Sequence, residues 1–165
     1  MTHTPKAFSI LEVLTVIAIL AVVSAFVVPN FISWRNHAKL RGAVNNLKGD
    51  FEMAKARAIR ENGWVAIVFN NNQKRYAIFL DNGAGGAVER DWYCNGTERL
   101  LRNREIPGGV TIDIGNTRFG ALGAKTRFNG RGHCIPGSAV LRNNTGESMK
   151  VKVSRLGQFT IEKGS

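Results

Sequence analysis

The apolar pattern at the start of the chain is a run over residues 13–28 in which Thr15 and Ser24 are the only polar residues. Counted from Phe8, the run would measure about 30 Å as a helix, which matches the thickness of a bilayer core. Lys6 precedes the run and adds positive charge to the end expected to stay cytoplasmic. The pattern therefore predicts one membrane-spanning helix, with the rest of the chain in an oxidising compartment.

A cleaved secretory signal is the alternative interpretation of this run. Residues 13–23 would be its apolar region and residues 23–25 its cleavage site. Glu12 stands at the entrance to that apolar region, where a carboxylate is unfavourable, and the apolar pattern continues past the supposed cut to Ile32. Both observations favour a helix that is retained.

Beyond Pro29 the apolar residues recur in steps of three and four, which is the period of an amphipathic helix. The stripe consists of Val44, Leu47, Phe51, Ala54 and Ala58. Charged residues between them, including Asp50 and Lys55, are expected on solvated faces. Gly63 is expected to stop the helix after Asn62, and Pro29 is expected to kink or weaken it.

After Trp64, short apolar segments separated by Gly, Asn and Ser predict β-strands. Residues 64–70 and 75–81 predict a hairpin, whereas residues 82–107 are expected to be mostly irregular. Further strands are predicted at residues 109–115, 125–130, 138–143, 149–154 and 158–163. The predicted fold class is α+β, with a long N-terminal helix packed on an antiparallel β-sheet. Residues 31–165 form the globular domain, which includes the amphipathic helix half at residues 31–62.

The net charge of the chain bears on which partners it could bind. Lys and Arg number 23 against 12 Asp and Glu, a formal net charge of +11. Residues 116–165 alone contain nine basic side chains and two acidic ones. Such a balance indicates attraction to an anionic partner, which includes nucleic acid, lipid head groups and acidic proteins.

The N-terminal residues resemble the prepilin pattern, which has a short basic leader, a Phe that opens the mature chain, a Glu four residues later and a Pro further along. Phe8, Glu12 and Pro29 carry it here, and Ala7 holds the position that is usually Gly in that family. The order of shorter motifs across residues 40–163 is similar to the FimT/GspH-like branch of minor pilins and pseudopilins. The resemblance therefore covers most of the chain.

This resemblance implies a structural subunit of a type IV pilus or a type II secretion pseudopilus, placed at or near the tip. It implies that prepilin peptidase removes residues 1–7 by cutting between Ala7 and Phe8, and that the new N-terminus is methylated. Residues 8–30 would anchor the chain in the bacterial inner membrane as a single pass and later join other pilins in the filament core. The C-terminal domain would be periplasmic, or extracellular once it is part of a pilus.

Glu12 carries a hypothesis about assembly. On membrane-insertion scales an acidic side chain costs about 2.5–3.5 kcal/mol at a helix centre, and Glu12 lies near one end of the span. Cleavage would create an α-amino group on Phe8, so in a bundle Glu12 of one subunit could pair with the Phe8 amine of another and fix the register. The alternative is that Glu12 reaches the head groups without a partner.

Cysteine chemistry and metal binding give few candidates. Cys94 and Cys134 are the only cysteines, and in an exported domain a bridge between them is predicted. His133 has no further Cys or His at ligand spacing, so no metal site is expected. The loop between Asp81 and Asp91 holds enough oxygen ligands for calcium, but its spacing does not match an EF-hand, and a flexible turn is expected.

DNA binding is the second functional hypothesis, because some members of the FimT branch bind DNA through a Gly-Arg-x-Arg run near the C-terminus. The matching stretch, residues 157–160, lacks both arginines. What remains is a phosphate-contacting patch composed of Arg127, Arg131, Lys152 and Arg155. The alternative is a solvated basic face. The three histidines belong to no catalytic constellation, so neither enzyme activity nor a cofactor is expected.

Overall fold

The computed structural model describes residues 9–70, 72 and 74–164, except for the side chain of Pro29. Ala7 and Phe8 lie outside the described residues, and so does the predicted cleavage bond between them.

One helix, α1 (Ile10–Glu61), combines the apolar run and the amphipathic stretch. The helix continues through Pro29, where a kink or weak point is predicted. The chain divides into two compact units, the first ending at Arg35 and the second beginning at Asn36. The helix therefore contributes to both units, which are described separately below.

In the second unit the predicted apolar stripe of α1 is confirmed. Val44, Leu47, Phe51, Ala54 and Ala58 are all completely buried. The period of 3.6 residues places them on one side of the helix, so a single face supplies the contact with the sheets.

The end of α1 is a C-terminal capping motif. The N–H of Gly63 donates to the carbonyl of Ala58 at 3.1 Å, and the N–H of Asn62 donates to the carbonyl of Ile59 at 3.2 Å. These are the two bonds of a Schellman motif, which needs a left-handed residue after the last turn. Asn62, with φ 46°, supplies it. The helix therefore stops where predicted, but Asn62 and not Gly63 takes the left-handed conformation.

The strands in the described residues follow the helix in quick succession. They are β1 (Val65–Phe69), β2 (Arg75–Leu80), β3 (Leu100–Glu105), β4 (Val110–Ile112), β5 (Arg118–Phe119), β6 (Lys125–Phe128), β7 (Gly137–Asn143), β8 (Ser148–Val153) and β9 (Phe159–Lys163). Every strand pairing is antiparallel. The α+β class and the β1–β2 hairpin are thus confirmed.

The strands form two sheets where the sequence predicts one. The first sheet has the order β3-β2-β1-β6. The second has the order β4-β7-β8-β9, and β5 also pairs with β7. Phe51 of α1 contacts both: its ring centroid lies 6.3 Å from Phe69 on β1, 6.1 Å from Phe119 on β5 and 6.0 Å from Phe159 on β9. The helix therefore supplies a core that the two sheets share.

Residues 82–107 are mostly irregular, as predicted, but they also contain strand β3, which the sequence did not predict. It pairs with β2 from Arg75↔Glu105 to Phe79↔Leu100, with a register shift next to Ile78. Its sequence, LLRNRE, shows no alternation of apolar residues. The reason is that Arg102 and Arg104, two residues apart and on one face, form ion pairs with Asp50 of α1. Hydrophobic periodicity cannot reveal a strand whose inner face is charged.

Candidate assembly site

The first unit presents an apolar surface that no other described residue covers. Every described side chain from residue 9 to residue 35 is exposed. Leu14, Ile17 and Leu20 are each more than half exposed. Among the described residues, α1 is the one helix long and apolar enough to cross a membrane by length and composition. A contiguous apolar surface of this kind marks an interaction site.

The polar side chains within this surface are satisfied by the helix itself. The hydroxyl of Thr15 donates to the carbonyl of Leu11 at 2.6 Å, and that of Ser24 donates to the carbonyl of Leu20 at 2.7 Å. The side-chain amide of Asn30 donates to the carbonyl of Phe26 at 3.2 Å. Bonds to the carbonyl four residues earlier let these groups enter an apolar environment at little cost.

Glu12 differs from these residues. It lies in the first turn of α1, where Ser9 acts as the cap: the N–H of Leu11 donates to Ser9 Oγ at 3.3 Å, and the N–H of Glu12 donates to the Ser9 carbonyl at 3.0 Å. A negative charge is favourable at a helix N-terminus. Among the described residues, however, the Glu12 carboxylate has no ion-pair partner. It is the single charged side chain between residues 9 and 34.

Aromatic residues mark the other end of the apolar surface. Phe31 and Trp34 are exposed, with ring centroids 5.8 Å apart, and Arg35 follows them. Trp and basic residues are typical of the boundary between a membrane and water. The apolar surface thus has a carboxylate at one end and an aromatic and basic boundary at the other.

The second unit contains a buried charge cluster that the sequence did not reveal, because Asp50 was expected on a solvated face. Asp50 is 2% exposed. It accepts a hydrogen bond from the Tyr76 hydroxyl at 2.5 Å, from Arg102 Nη1 at 2.8 Å and from Arg104 Nε at 2.7 Å. Burial raises the pKa of Tyr76, and the bond to Asp50 raises it further, so Tyr76 stays the donor. The cluster fixes α1 to β2 and β3.

Lys55 is a second correction of the same kind. It is half-buried, and its ammonium group donates to the carbonyls of Leu156 at 3.2 Å and Gly157 at 2.9 Å. It therefore fastens α1 to the turn between β8 and β9 and is not simply a solvated charge.

Cys94 and Cys134 are both free in the structure, so the bridge between them stays a prediction. The thiol of Cys94 is exposed and lies 3.7 Å from the Glu98 carbonyl, whereas that of Cys134 is buried and lies 3.1 Å from the Ser154 carbonyl. Each sulfur atom thus has its own backbone partner.

Two of the four residues predicted for a basic patch are engaged within the protein. The Arg127 guanidinium lies 4.1 Å from the ring centroid of Trp92 and donates to the carbonyl of Arg90 at 3.1 Å. Lys152 lies 3.6 Å from Glu162. Arg127 belongs to the first sheet and Lys152 to the second.

The remaining two residues, Arg131 and Arg155, are exposed on neighbouring turns. The turns are joined by a bond from the N–H of Cys134 to the carbonyl of Arg155, at 3.1 Å. The structure thus brings together two of the four predicted residues.

One group of acidic residues has the geometry of a cation site. Within the described part of the chain, one carboxylate oxygen from each of Asp81, Asp91 and Glu98 lies within 4.8 Å of the others. Glu98 was not among the residues considered from the sequence, because it is distant along the chain from Asp81.

The N-terminal half of the helix is apolar and exposed, and its C-terminal half packs on two antiparallel sheets. This arrangement is typical of the pilin-like class of structural subunit. The family model for the type II transport protein GspH matches residues 43–157, and the chain belongs to this family. The predicted resemblance to pilins and pseudopilins of this branch is confirmed.

Solved structures agree with this assignment at the level of the fold. The minor pseudopilin EpsH of the type 2 secretion system of Vibrio cholerae is 9% identical, with a TM-score of 0.58, over 76% of this chain and 97% of its own. The type IV minor pilin FimU of Pseudomonas aeruginosa is 14% identical, with a TM-score of 0.56, over 78% of this chain and 92% of its own. A comparison with curated protein sequences gives no match.

Proposed function

We propose that this chain is a minor pilin or pseudopilin that assembles through residues 8–30 into a type IV pilus or a type II secretion pseudopilus, at or near its tip. The observation that carries the proposal is the apolar surface of α1, exposed over its whole described length with Glu12 as its one charge. The similar structures, described as a minor pseudopilin and a minor pilin, support the same role.

The apolar surface of α1 would be covered first by the membrane and then, after assembly, by other subunits. Before assembly it lies in the inner membrane as a single-pass anchor, with the globular domain in the periplasm. In the filament it contacts the equivalent helices of other pilins. Thr15 and Ser24 suit both environments, because their hydroxyl groups are satisfied by the helix carbonyls.

Glu12 selects the register of assembly. Prepilin peptidase cuts between Ala7 and Phe8, and the new, methylated amino group of Phe8 then pairs with Glu12 of a neighbouring subunit. Burying one lone charge in an apolar bundle is much more costly than burying a matched pair. Axial positions that leave Glu12 unpaired are therefore rejected.

The test is incorporation of Glu12 variants into filaments, after membrane insertion of each variant has been confirmed. Glu12→Gln keeps the shape and removes the charge, and we expect it to lower incorporation at least tenfold. Thr15→Val is the matched control, since it removes a polar group already satisfied by the helix, and it should assemble normally. Normal assembly of both Glu12→Gln and Glu12→Val would exclude the pairing.

Processing is tested by N-terminal sequencing of the mature protein. A chain that begins at Phe8 supports the proposal. A chain that begins at Phe26 indicates a secretory signal, and an intact Met1 indicates a simple anchor.

DNA uptake is the second candidate function, and the exposed pair Arg131 and Arg155 favours it. Lys and Arg contacts to phosphates make binding weaken steeply with salt. We expect the double variant Arg131→Ala/Arg155→Ala to lose salt-dependent DNA binding, while Arg60→Ala, an exposed basic residue on α1, keeps it. If the full chain binds no DNA even at low salt, this function is excluded.

A further inference from the structure

The loop between β2 and β3 contains four carboxylates that the proposed assembly function does not use, and three of them lie close together. Asp81 follows the last residue of β2, and its N–H donates to the Trp64 carbonyl at 2.9 Å. Glu98 lies near the other end of the loop and is 8% exposed. Asp91 lies between them and is half-buried. The chain thus brings carboxylates from three separate points of the loop together.

The spacing of the three groups fits one bound ion. Their nearest oxygen atoms lie within 4.8 Å of one another. Three atoms at that separation can all lie within about 2.8 Å of a common point, and Ca²⁺ bonds to oxygen at about 2.3–2.6 Å. Shifts of a few tenths of an ångström are therefore enough for all three to ligate. Mg²⁺, with bonds of about 2.0–2.1 Å and strict octahedral geometry, would need larger shifts.

A buried oxygen without a hydrogen bond points independently to a ligand. The side chain of Asp81 is completely buried. Its Oδ1 accepts a hydrogen bond from the N–H of Arg90 at 2.6 Å, but Oδ2 accepts none among the described residues. The nearest cationic atom, Nη1 of Arg127, lies 3.9 Å away and donates instead to the Arg90 carbonyl. A buried carboxylate oxygen without a hydrogen bond lowers the stability of the folded state unless another cation lies beside it.

The other two carboxylates are already oriented by the loop. Glu98 accepts hydrogen bonds from the N–H of Gly83 at 2.9 Å and from the N–H of Asn95 at 3.3 Å. Asp91 accepts one from the N–H of Tyr93 at 2.8 Å and one from the Asn95 side-chain amide at 3.0 Å. A carboxylate oxygen has a second lone pair, so these bonds leave room for a metal and hold the ligands in position.

We propose that Asp81, Asp91 and Glu98 form a binding site for a divalent cation, and that Ca²⁺ is the ion that fits it. The donor set is entirely oxygen, which suits a hard cation. Among the described residues, Asp81 has one ion-pair partner, Arg127, and Asp91 and Glu98 have none, so an added cation would offset their negative charge. The bound ion joins the two ends of the loop and fastens it beside Trp64. The site lies in the second unit, and none of its residues is among those proposed for assembly.

The experiment is calorimetric titration of the full chain in detergent micelles, stripped with EDTA and then titrated with CaCl₂. We expect one bound Ca²⁺ with a dissociation constant on the order of 0.1–1 mM, as in extracellular calcium modules. Saturating Ca²⁺ should raise the unfolding temperature of the globular unit by several degrees, and equal Mg²⁺ should raise it less.

Asp91→Asn is the principal variant, because this residue is only half-buried and its replacement is compatible with folding. It should weaken Ca²⁺ binding at least tenfold, and Glu98→Gln should do the same. Asp113→Asn is the matched control: Asp113 belongs to the other sheet region, is held by Asn116 and Arg142, and should leave binding unchanged. No heat and no change in unfolding temperature at 10 mM Ca²⁺, or equal binding by the Asp91 and Glu98 variants, would overturn the proposal.

Discussion

The hydroxyl group of Tyr76 on β2 donates a hydrogen bond to Asp50 on α1, with 2.5 Å between the oxygen atoms, and both side chains are buried. Arg102 and Arg104 of β3 complete the surroundings of the carboxylate. The contact between helix and first sheet is therefore polar at this point, in addition to the apolar contacts of the helix stripe.

Tyr76→Phe should destabilise the protein by about 1–2 kcal/mol, because it leaves a buried carboxylate with one fewer donor. The free energy of unfolding in urea measures the effect. Tyr93→Phe, at a position 70% exposed, is the control and should change stability by less than about 0.5 kcal/mol. Equal stability of Tyr76→Phe and the wild type would show that the bond contributes nothing net.

Phe51→Ala should cost about 3–5 kcal/mol, because Phe51 is completely buried and contacts aromatic rings of both sheets. Thermal and urea unfolding would measure this loss. Ile59→Ala on the same helix, at a position 48% exposed, should cost much less. A small effect at Phe51 would mean that its contacts with the two sheets contribute little to stability.

The two cysteines should react at very different rates. Burial raises the pKa of Cys134 to about 11, so little of it is thiolate at pH 8, and the side chain is also inaccessible. Cys94 is exposed. We expect iodoacetamide to modify Cys94 at least tenfold faster in the folded chain, as measured by mass spectrometry. A protein two mass units lighter and unreactive at both sites would instead show a disulfide.

Two carboxylates should show opposite pH dependences in EDTA. Burial raises the pKa of Asp81 in the folded state, so its ionisation costs stability as the pH rises above the unfolded value of about 3.9. The stability of Asp81→Asn relative to the wild type should therefore increase between pH 4 and pH 7.

Asp113 gives the matched comparison. The Asn116 side chain holds its pKa below the usual range, and Arg142 lowers it further. It contributes stability above about pH 3.9 that is lost as the pH falls through its folded pKa. Asp113→Asn should therefore be less stable than the wild type at pH 7, with the difference shrinking below pH 4. Parallel pH profiles for the two variants would contradict these assignments.

Hydrophobic periodicity predicted the parts of the fold that bury apolar residues in regular order. The stripe around Phe51 and the β1–β2 hairpin follow directly from that order. It could not predict β3, because the side chains of Arg102 and Arg104 that face α1 find their partner fifty residues away in Asp50. From the sequence alone, a charged residue on a helix is predicted to be exposed to solvent unless its ion-pair partners are known.

The candidate sites show the same limit. Glu12 was recognisable because a charge inside an apolar run is unusual, whereas the approach of Asp81 to Glu98 depends on how the β2–β3 loop closes. The basic patch was predicted from charge alone, and charge does not reveal that Arg127 stacks on Trp92.

The contrast between the two halves of α1 has a consequence for the state of the subunit before assembly. Residues 36–61 pack within their own chain, so the globular unit needs no neighbour to complete its core. Residues 13–28 pack against no other part of the chain that the structure describes, and lipid tails are about as apolar as the helices of a bundle. Exchanging lipid tails for neighbouring helices around this segment therefore involves little change in hydrophobic free energy. If the proposed function holds, the subunit would pass between membrane and filament without refolding its globular unit, so recruitment would be reversible at the level of a single helix.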